Sequence, residues 1–113
     1  MGTNFATNKY KTIIWTLGAS ENGDAFEYAK LADKTVQAFG TFGGTVTMQG
    51  SNDPRVITDA ANAVWFTLTD NLGVAITFAA AGAKLIAENP TFVRPSAGVG
   101  VSAVTIAIQA TEN

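Results

Sequence analysis

Apolar residues alternate with Thr, Ser and Gln through most of this chain, and this two-residue period constrains the fold more than any motif. The pattern is clearest in Lys11–Leu17 and Ser102–Gln109. Successive side chains of a β-strand point to opposite faces, so the alternation predicts strands that are buried on one face only. The predicted core positions of these two strands are Ile13, Trp15, Leu17, Val104, Ile106 and Ile108.

Turn residues interrupt the alternation at short intervals. The turn signals lie at Gly18–Gly23, Gly50–Pro54, Asp70–Gly73, Asn89–Pro90 and Ser96–Gly100. They divide the chain into about eight short strands, the spacing expected of a sandwich or barrel. Strands do not alternate with helices, which argues against a parallel sheet. The sequence therefore predicts an all-β fold, an antiparallel β-sandwich with a jelly-roll-like architecture.

The domain organisation follows from length and from the character of the first residues. The polar residues 1–10 contain no apolar stretch typical of a signal peptide, and they are predicted to form an exposed arm. Residues 11–113 are expected to form a single β-sandwich domain.

Two adjacent glycines, Gly43 and Gly44, separate the alternating segments Thr35–Phe42 and Thr45–Gln49. A type I′ turn needs positive φ at both central positions, which glycine adopts readily. We therefore predict a β-hairpin over residues 35–49. The side chains expected to face inward are Val36, Ala38, Val46 and Met48, with Phe39 on the opposite face.

Two further strands are predicted near turn residues. Val64–Leu68 is predicted to point Val64, Phe66 and Leu68 inward and Trp65 outward. Thr91–Arg94 is predicted to be a short strand that ends at Pro95.

Three segments have weaker patterns. Val56–Ile57 is predicted to be a short edge strand, and residues 24–31 favour a strand over a helix. Residues 82–88 fit either a short strand or one helical turn.

The residue types exclude most catalytic chemistry. The chain contains no His and no Cys, which excludes Ser–His and Cys–His nucleophiles and disulfides, and makes a zinc site unexpected. Most carboxylates fall in predicted turns, where Asp caps local backbone N–H groups. Ser51–Asp53 and Asp70–Asn71 carry oxygen ligands but lack the spacing of a calcium loop. We predict no enzymatic activity and no catalytic, cofactor-binding or metal-binding residue.

The charge pattern limits the classes of partner. The net charge is −2 and the seven cationic residues are scattered, so no nucleic-acid partner is expected. The longest apolar run, Val74–Ala83, is far shorter than the ~20 residues of a membrane span. Only 14% of residues are charged although 47% are hydrophobic. Two interpretations remain open: a large interface within an assembly, or a small β-protein coated with Thr, Asn and Gly.

Candidate interface residues follow from position and residue type. Trp65 is out of phase with its apolar neighbours, so we expect it on an outer face, available to stack on a sugar ring or a partner protein. Arg94 fits either a salt bridge at a rim or a contact across a subunit boundary. The full candidate set is Thr3, Asn4, Phe5 and Tyr10 in the arm, Asn52, Asp53 and Arg55 in the loop over residues 50–62, and Trp65 and Arg94.

Three segments resemble a group of small proteins encoded in the structural gene clusters of tailed bacteriophages. They are Lys34–Gly50 (KTVQAFGTFGGTVTMQG) continuing into Ser51–Asp53, then Trp65–Phe78, then Asn89–Pro95 (NPTFVRP). The resemblance implies a capsid-decorating, or cement, protein with a β-sandwich or jelly-roll fold. It also implies a position on the outside of the virion, the major capsid protein lattice as partner, and a homotrimer.

One departure from that group concerns the segment after Asp53. The group places a Gly-x-Asn-Trp there, whereas this chain continues with Pro54 and Arg55 and reaches a tryptophan only at Trp65. The segment Pro54–Ala63 is therefore interpreted as a local contact loop.

Two alternative functions remain. The residues Gly50–Asp53 with Trp65 and Phe92–Arg94 also resemble discoidin-type carbohydrate-binding modules, which are longer than this chain and imply a glycan partner in a fibre or tail. A tail-tube or head–tail joining protein is the third interpretation.

Overall fold

The alternating segments form nine strands in the computed structural model, which describes residues 10–27 and 31–112. The strands are β1 (Tyr10–Leu17), β2 (Phe26–Glu27), β3 (Leu31–Thr41), β4 (Val46–Ser51), β5 (Phe66–Thr67), β6 (Thr77–Phe78), β7 (Gly82–Leu85), β8 (Phe92–Ala97) and β9 (Ala103–Glu112). Within the described residues, helical structure is limited to α1 (Arg55–Thr58) and a 3-10 turn at Ala60–Asn62.

The strands form two antiparallel sheets. The first sheet has the order β1-β9-β3-β7, and the second has the order β2-β8-β4-β5 with β6 also paired to β4. β5 lies beside Gln49–Gly50 and β6 lies beside Val46–Thr47, so β5 and β6 are two halves of one strand along the same edge of β4. Counted this way, the sheets have the strand order of an eight-stranded jelly roll. The predicted all-β antiparallel sandwich is confirmed.

A short excursion over residues 69–75 separates the two half-strands. Its base is closed by the Ile76 amide, which donates to the Leu68 carbonyl oxygen at 2.9 Å. At its tip, the Asp70 carboxylate accepts the amides of Leu72 and Val74 at 2.9 and 3.0 Å. The turn predicted at Asp70–Gly73 is therefore confirmed.

The core lies between the two sheets. It is formed by the apolar side chains that point inward from both sheets, and their removal from water is the main favourable contribution to folding. The predicted inward side chains that are buried are Trp15, Leu17, Val36, Ala38, Val46, Met48, Leu68, Val104, Ile106 and Ile108, and Ile13 is partly buried against them.

The predicted hairpin at Gly43–Gly44 is wrong. β3 belongs to the first sheet and β4 to the second, so the two glycines cross between sheets. A Cβ on Gly44 would lie 2.5 Å from the carbonyl oxygen of Val99, and one on Gly43 would lie 2.6 Å from that of Gly100. The glycines are needed because two backbone segments touch there, and Val36 and Val46 face the core from opposite sheets.

The predicted orientation of Val64–Leu68 is only partly correct. Leu68 is buried, but Val64 is 65% exposed and Phe66 is 40% exposed. The regular strand is limited to β5, which is the edge of its sheet. An edge strand of two residues has a neighbour on one side only, so its first apolar side chains remain in contact with solvent.

Val56 and Ile57 lie in α1 rather than in the predicted edge strand. Pro54 precedes α1 with φ −63°, an angle that suits the start of a helix. The Asp53 carboxylate accepts the Arg55 amide at 2.9 Å. This local bond satisfies an N–H group that the first helical turn leaves free, and it outweighs the β-propensity of the two branched residues.

β8 continues through Pro95, which was predicted to end it. Pro95 pairs with Met48 on one side, and its carbonyl oxygen accepts the Gly23 amide at 2.8 Å on the other. That other neighbour is the irregular segment before the two-residue strand β2. A missing N–H group is tolerated at such a margin of a sheet.

The remaining segments resolve as follows. Gly82–Leu85 is a strand, which decides between the two interpretations of residues 82–88. Phe26–Glu27 is a strand, as favoured for residues 24–31, of which residues 28–30 lie outside the described residues. No helix in the described parts of the chain is long and apolar enough to cross a membrane.

Candidate functional site

The loop over residues 52–65 lies over one end of the outer face of the second sheet. Ser51 and Phe92 point away from the core, yet both side chains are buried beneath this loop. The Ser51 hydroxyl donates to the Val64 carbonyl oxygen at 2.6 Å. Asn52 Oδ1 accepts the Thr91 amide at 2.8 Å. The loop is therefore attached to both β4 and the start of β8.

Asp53 closes this loop on itself. Its carboxylate accepts the Val64 amide at 2.9 Å and forms an ion pair with Arg55 at 2.8 Å. The hydrogen bonds from the Arg55 guanidinium, followed by those from the Arg55 and Val64 amides, hold the pKa of Asp53 well below its usual range. Asp53 and Arg55 thus have local partners, and their role in the structure is to hold the two ends of the loop together.

Arg94 lies on the outer face of β8 and stacks on Trp65. Its guanidinium carbon is 4.1 Å from the centre of the Trp65 ring. Its Nε donates to Gln49 Oε1 at 2.8 Å. No carboxylate of the described residues lies within ion-pairing distance of Arg94. Burial lowers the pKa of Arg94, although an arginine remains protonated in proteins.

A groove runs beside this stacked pair. β8 forms its floor with Phe92 and Arg94, Asn22–Ala25 line one side, and the loop lines the other. The volume is about 410 Å³. The loop residues that line it are Val56, Ile57, Ala60 and Trp65. Ile57 is 72% exposed, so this wall presents apolar surface to solvent.

The opposite wall of the groove, Asn22–Ala25, is held in place by a hydrogen bond from the core residue Trp15. Trp15 Nε1 donates to the Asp24 carbonyl oxygen at 2.8 Å. On the same wall, Asn22 Oδ1 already accepts the Ser96 hydroxyl at 2.7 Å. The groove therefore has two anchored sides, with one cationic and one acidic residue, Arg94 and Asp24, along its lining.

The outer face of the first sheet has a different character. Three rows of outward side chains run across its strands, and none of the eleven residues is charged. The rows are Thr12, Gln109, Thr35 and Leu85; Ile14, Ala107, Gln37 and Ala83; and Thr16, Thr105 and Phe39. We call these eleven residues the neutral face. Its largest apolar members are exposed: Ile14 by 64%, Leu85 by 46% and Phe39 by 44%.

A polar cluster around the buried Lys34 side chain lies away from the groove. The Lys34 side chain is buried and donates to Asn89 Oδ1, and the Glu88 carboxylate accepts the Thr69 amide at 2.9 Å. Burial lowers the pKa of Lys34, while the charges of Asp33 and Glu88 oppose this shift. The cluster attaches the excursion over residues 69–75 to the sandwich, which is a structural role.

The structure brings five of the predicted interface residues to one end of the second sheet: Asn52, Asp53, Arg55, Trp65 and Arg94. Tyr10 lies elsewhere, at the start of β1, where its backbone pairs with Thr111. Thr3, Asn4 and Phe5 lie outside the described residues.

Sequence reasoning missed the side of the groove formed by Asn22–Ala25 and the apolar wall formed by Val56 and Ile57. The wall depends on α1, whose start is marked by Asp53 followed by Pro54. That pair of residues was the available signal.

No group of three acidic, His or Cys side chains among residues 10–27 and 31–112 is placed to hold a metal ion. Comparison of the chain with protein-family models, with curated proteins and with solved structures found no match.

Proposed function

We propose that this chain is a non-enzymatic structural protein of a tailed-bacteriophage virion, which binds to the outside of the assembled capsid shell and reinforces it. The observation that carries the proposal is the neutral face. The jelly-roll order of the strands, an architecture that is common in viral capsid proteins and lectins, also supports it. So does the resemblance of Lys34–Asp53 and Asn89–Pro95 to phage structural proteins.

The neutral face suits a contact with protein. Burying a charged side chain costs free energy unless it is paired, whereas Thr, Ala and Gln with exposed Ile, Phe and Leu can be covered at little cost. The face is also backed by regular pairing of four strands, which keeps it rigid. A rigid surface loses little conformational entropy when it binds.

The size of the neutral face supports binding as an oligomer. Three rows across four strands span roughly 300–400 Å², from the usual spacings within a sheet. A stable interface buries about 800 Å² on each partner. One copy is therefore expected to bind weakly, and linking copies in a homotrimer raises the overall affinity through effective concentration. Because the protein binds the assembled shell, it stabilises the shell by mass action.

Co-sedimentation with empty shells of the cognate major capsid protein tests this proposal. The wild-type protein should pellet with shells, and Gln37→Lys at the centre of the neutral face should remain in the supernatant. Val99→Lys is the matched control, since Val99 is an exposed apolar residue outside the neutral face. Loss of binding in Val99→Lys but not in Gln37→Lys would contradict the proposal. Light scattering of the free protein measures the oligomeric state.

A carbohydrate-binding module is the second candidate, and the groove with its partly exposed Trp65 favours it. A glycan array with wild-type protein and Trp65→Ala distinguishes the two. Glycan binding that is lost in Trp65→Ala, together with no sedimentation on shells, would favour this second function.

A further inference from the structure

The Arg94 guanidinium has more hydrogen-bond donors than partners. An arginine side chain carries five N–H donors, and Arg94 uses its Nε on Gln49. Its two Nη groups have no acceptor among the described residues. A half-buried cation without a carboxylate partner is unusual, because its burial costs free energy that pairing would recover.

The surroundings of Arg94 hold it ready for a ligand. The guanidinium lies over the Trp65 ring on one side and donates its Nε–H to Gln49, and these two contacts restrict its position. Arg94 lines the groove, which is open to solvent. A planar guanidinium with two free Nη amino groups matches the two oxygens of a carboxylate.

We propose that the groove binds an extended segment of a partner protein through one Asp or Glu side chain, which the Arg94 guanidinium receives in a bidentate contact. The apolar wall of Val56, Ile57 and Ala60 contacts an apolar side chain next to that acidic residue. The site is on the opposite sheet from the neutral face, so it is independent of the proposed binding to a shell.

The lining of the groove favours a peptide over other carboxylate or phosphate ligands. Among the described residues that line it, Arg94 is the one cation and is accompanied by Asp24, whereas a nucleic acid or polyphosphate needs several cations. An acidic sugar needs several polar partners for its hydroxyl groups. Asn22 Oδ1 already accepts the Ser96 hydroxyl, which leaves only the Asn22 amide group for such a ligand, and one face of Trp65 is occupied by Arg94. The exposed Ile57 and the Phe92 floor suit apolar side chains of a protein.

The volume of the groove is large enough for a short peptide segment. About 410 Å³ is near the lower end of the range for ligand sites, roughly 300–1,000 Å³, and is enough for a few residues of an extended chain. Asp24 can accept a backbone N–H group of the same segment.

The test is a titration of the full chain followed by NMR, with end-blocked peptides of sequence Ala-Leu-Glu-Val-Ala and Ala-Leu-Gln-Val-Ala. The Glu peptide should shift the Trp65 indole and Arg94 Nε signals and should bind roughly tenfold more tightly than the Gln peptide, because a hydrogen bond to a carboxylate is stronger than one to an amide. Arg94→Gln should lose that difference. Lys84→Gln removes a cation outside the groove, and it should bind both peptides as the wild type does.

Three outcomes would overturn the proposal. One is equal binding of the Glu and Gln peptides to the wild-type protein, a comparison that needs no variant to fold. Another is no shift at a peptide concentration of about 10 mM, far above the Kd range of most recognition sites. The third is tighter binding of glucuronic acid or inorganic phosphate than of the Glu peptide, which would assign the groove to a sugar or a phosphate instead.

Discussion

The outer face of the first sheet presents the uncharged neutral face, with Asp70 and Lys84 only at its β7 edge, whereas one end of the outer face of the second sheet lies under residues 52–65 and holds Arg94 beside an open groove. Both faces are built by the same two-residue alternation on the same core. The difference between them comes from one loop and from the residue types at outward positions. We propose that the two faces serve different contacts: a broad neutral contact on one side and a single charged contact on the other.

The largest difference in stability between core and surface is expected for two adjacent residues of β9, Ile106 and Thr105. Ile106→Ala should lower the free energy of unfolding by about 2–5 kcal/mol, because Ile106 is fully buried between the sheets. Thr105→Ala, on the neutral face, should change it by less than about 0.5 kcal/mol. Urea denaturation followed by circular dichroism measures both. Similar losses in the two variants would mean that the neutral face is part of the folding core rather than a free surface.

The next largest effect on stability is expected at Gly43–Gly44, where the chain crosses from the first sheet to the second. Gly44→Ala places a Cβ 2.5 Å from the Val99 carbonyl oxygen, so we expect a loss of about 1–3 kcal/mol from overpacking. Gly82→Ala is the control, since its Cβ would lie 3.9 Å from the nearest atom, in the Phe78 ring. Thermal unfolding compares the two. A stable Gly44→Ala protein would show that the backbones at this crossing are farther apart than the structure has them.

Acid should distinguish the two faces as well. The folded-state pKa of Asp53 lies below its unfolded value, so its carboxylate stabilises the loop at neutral pH. That contribution begins to be lost as the pH falls below about 4 and disappears only below the folded pKa. The amide NMR signals of Arg55 and Val64 should therefore shift with acid, while those of Ile14, Thr105 and Ala107 in the neutral face, which lie away from Asp70 at its β7 edge, should not.

The control for this pH dependence is Asp53→Asn. In that variant the loop signals should no longer respond to acid. A wild-type loop that is unchanged well below pH 4, or a neutral face that responds first, would contradict the assigned role of Asp53.

The smallest effect on stability is expected for a substitution of Arg94 in the groove. Arg94→Gln should change the free energy of unfolding by no more than about 1 kcal/mol, because stacking on Trp65 contributes about that much and the burial of an unpaired cation offsets part of it. Urea denaturation provides the value. A loss of several kcal/mol would assign Arg94 to the stability of the fold and would weaken the case for a ligand.

The sequence was sufficient for the fold class and for most of the core because period-two burial is a local property. Val104, Ile106 and Ile108 are buried as predicted, and Phe39 points outward as predicted. The alternation does not say which sheet a strand joins. Two glycines between alternating segments fit a hairpin and a crossing between sheets equally well, and this is why the pairing of β3 and β4 was predicted incorrectly.

The groove could be predicted only in part, because it depends on contacts between residues that are far apart in the chain. Trp65 and Arg94 were each identified as surface residues, but their contact joins positions far apart in the chain and depends on the loop between β4 and β5. The local signal at Asp53–Pro54 for the start of α1 competed with the β-propensity of Val56 and Ile57. Hydrogen bonds near the helix start decided the outcome.

Oxidative footprinting of the protein, free and on shells, tests most directly whether the neutral face is the docking surface. In the free protein, all six exposed side chains should be oxidised, both Ile14, Phe39 and Leu85 of the neutral face and Ile57, Val64 and Leu72 outside it. On the shell, the three residues of the neutral face should become protected and the other three should remain reactive. Protection of Ile57 and Val64 with continued oxidation of Ile14 and Phe39 would contradict the account.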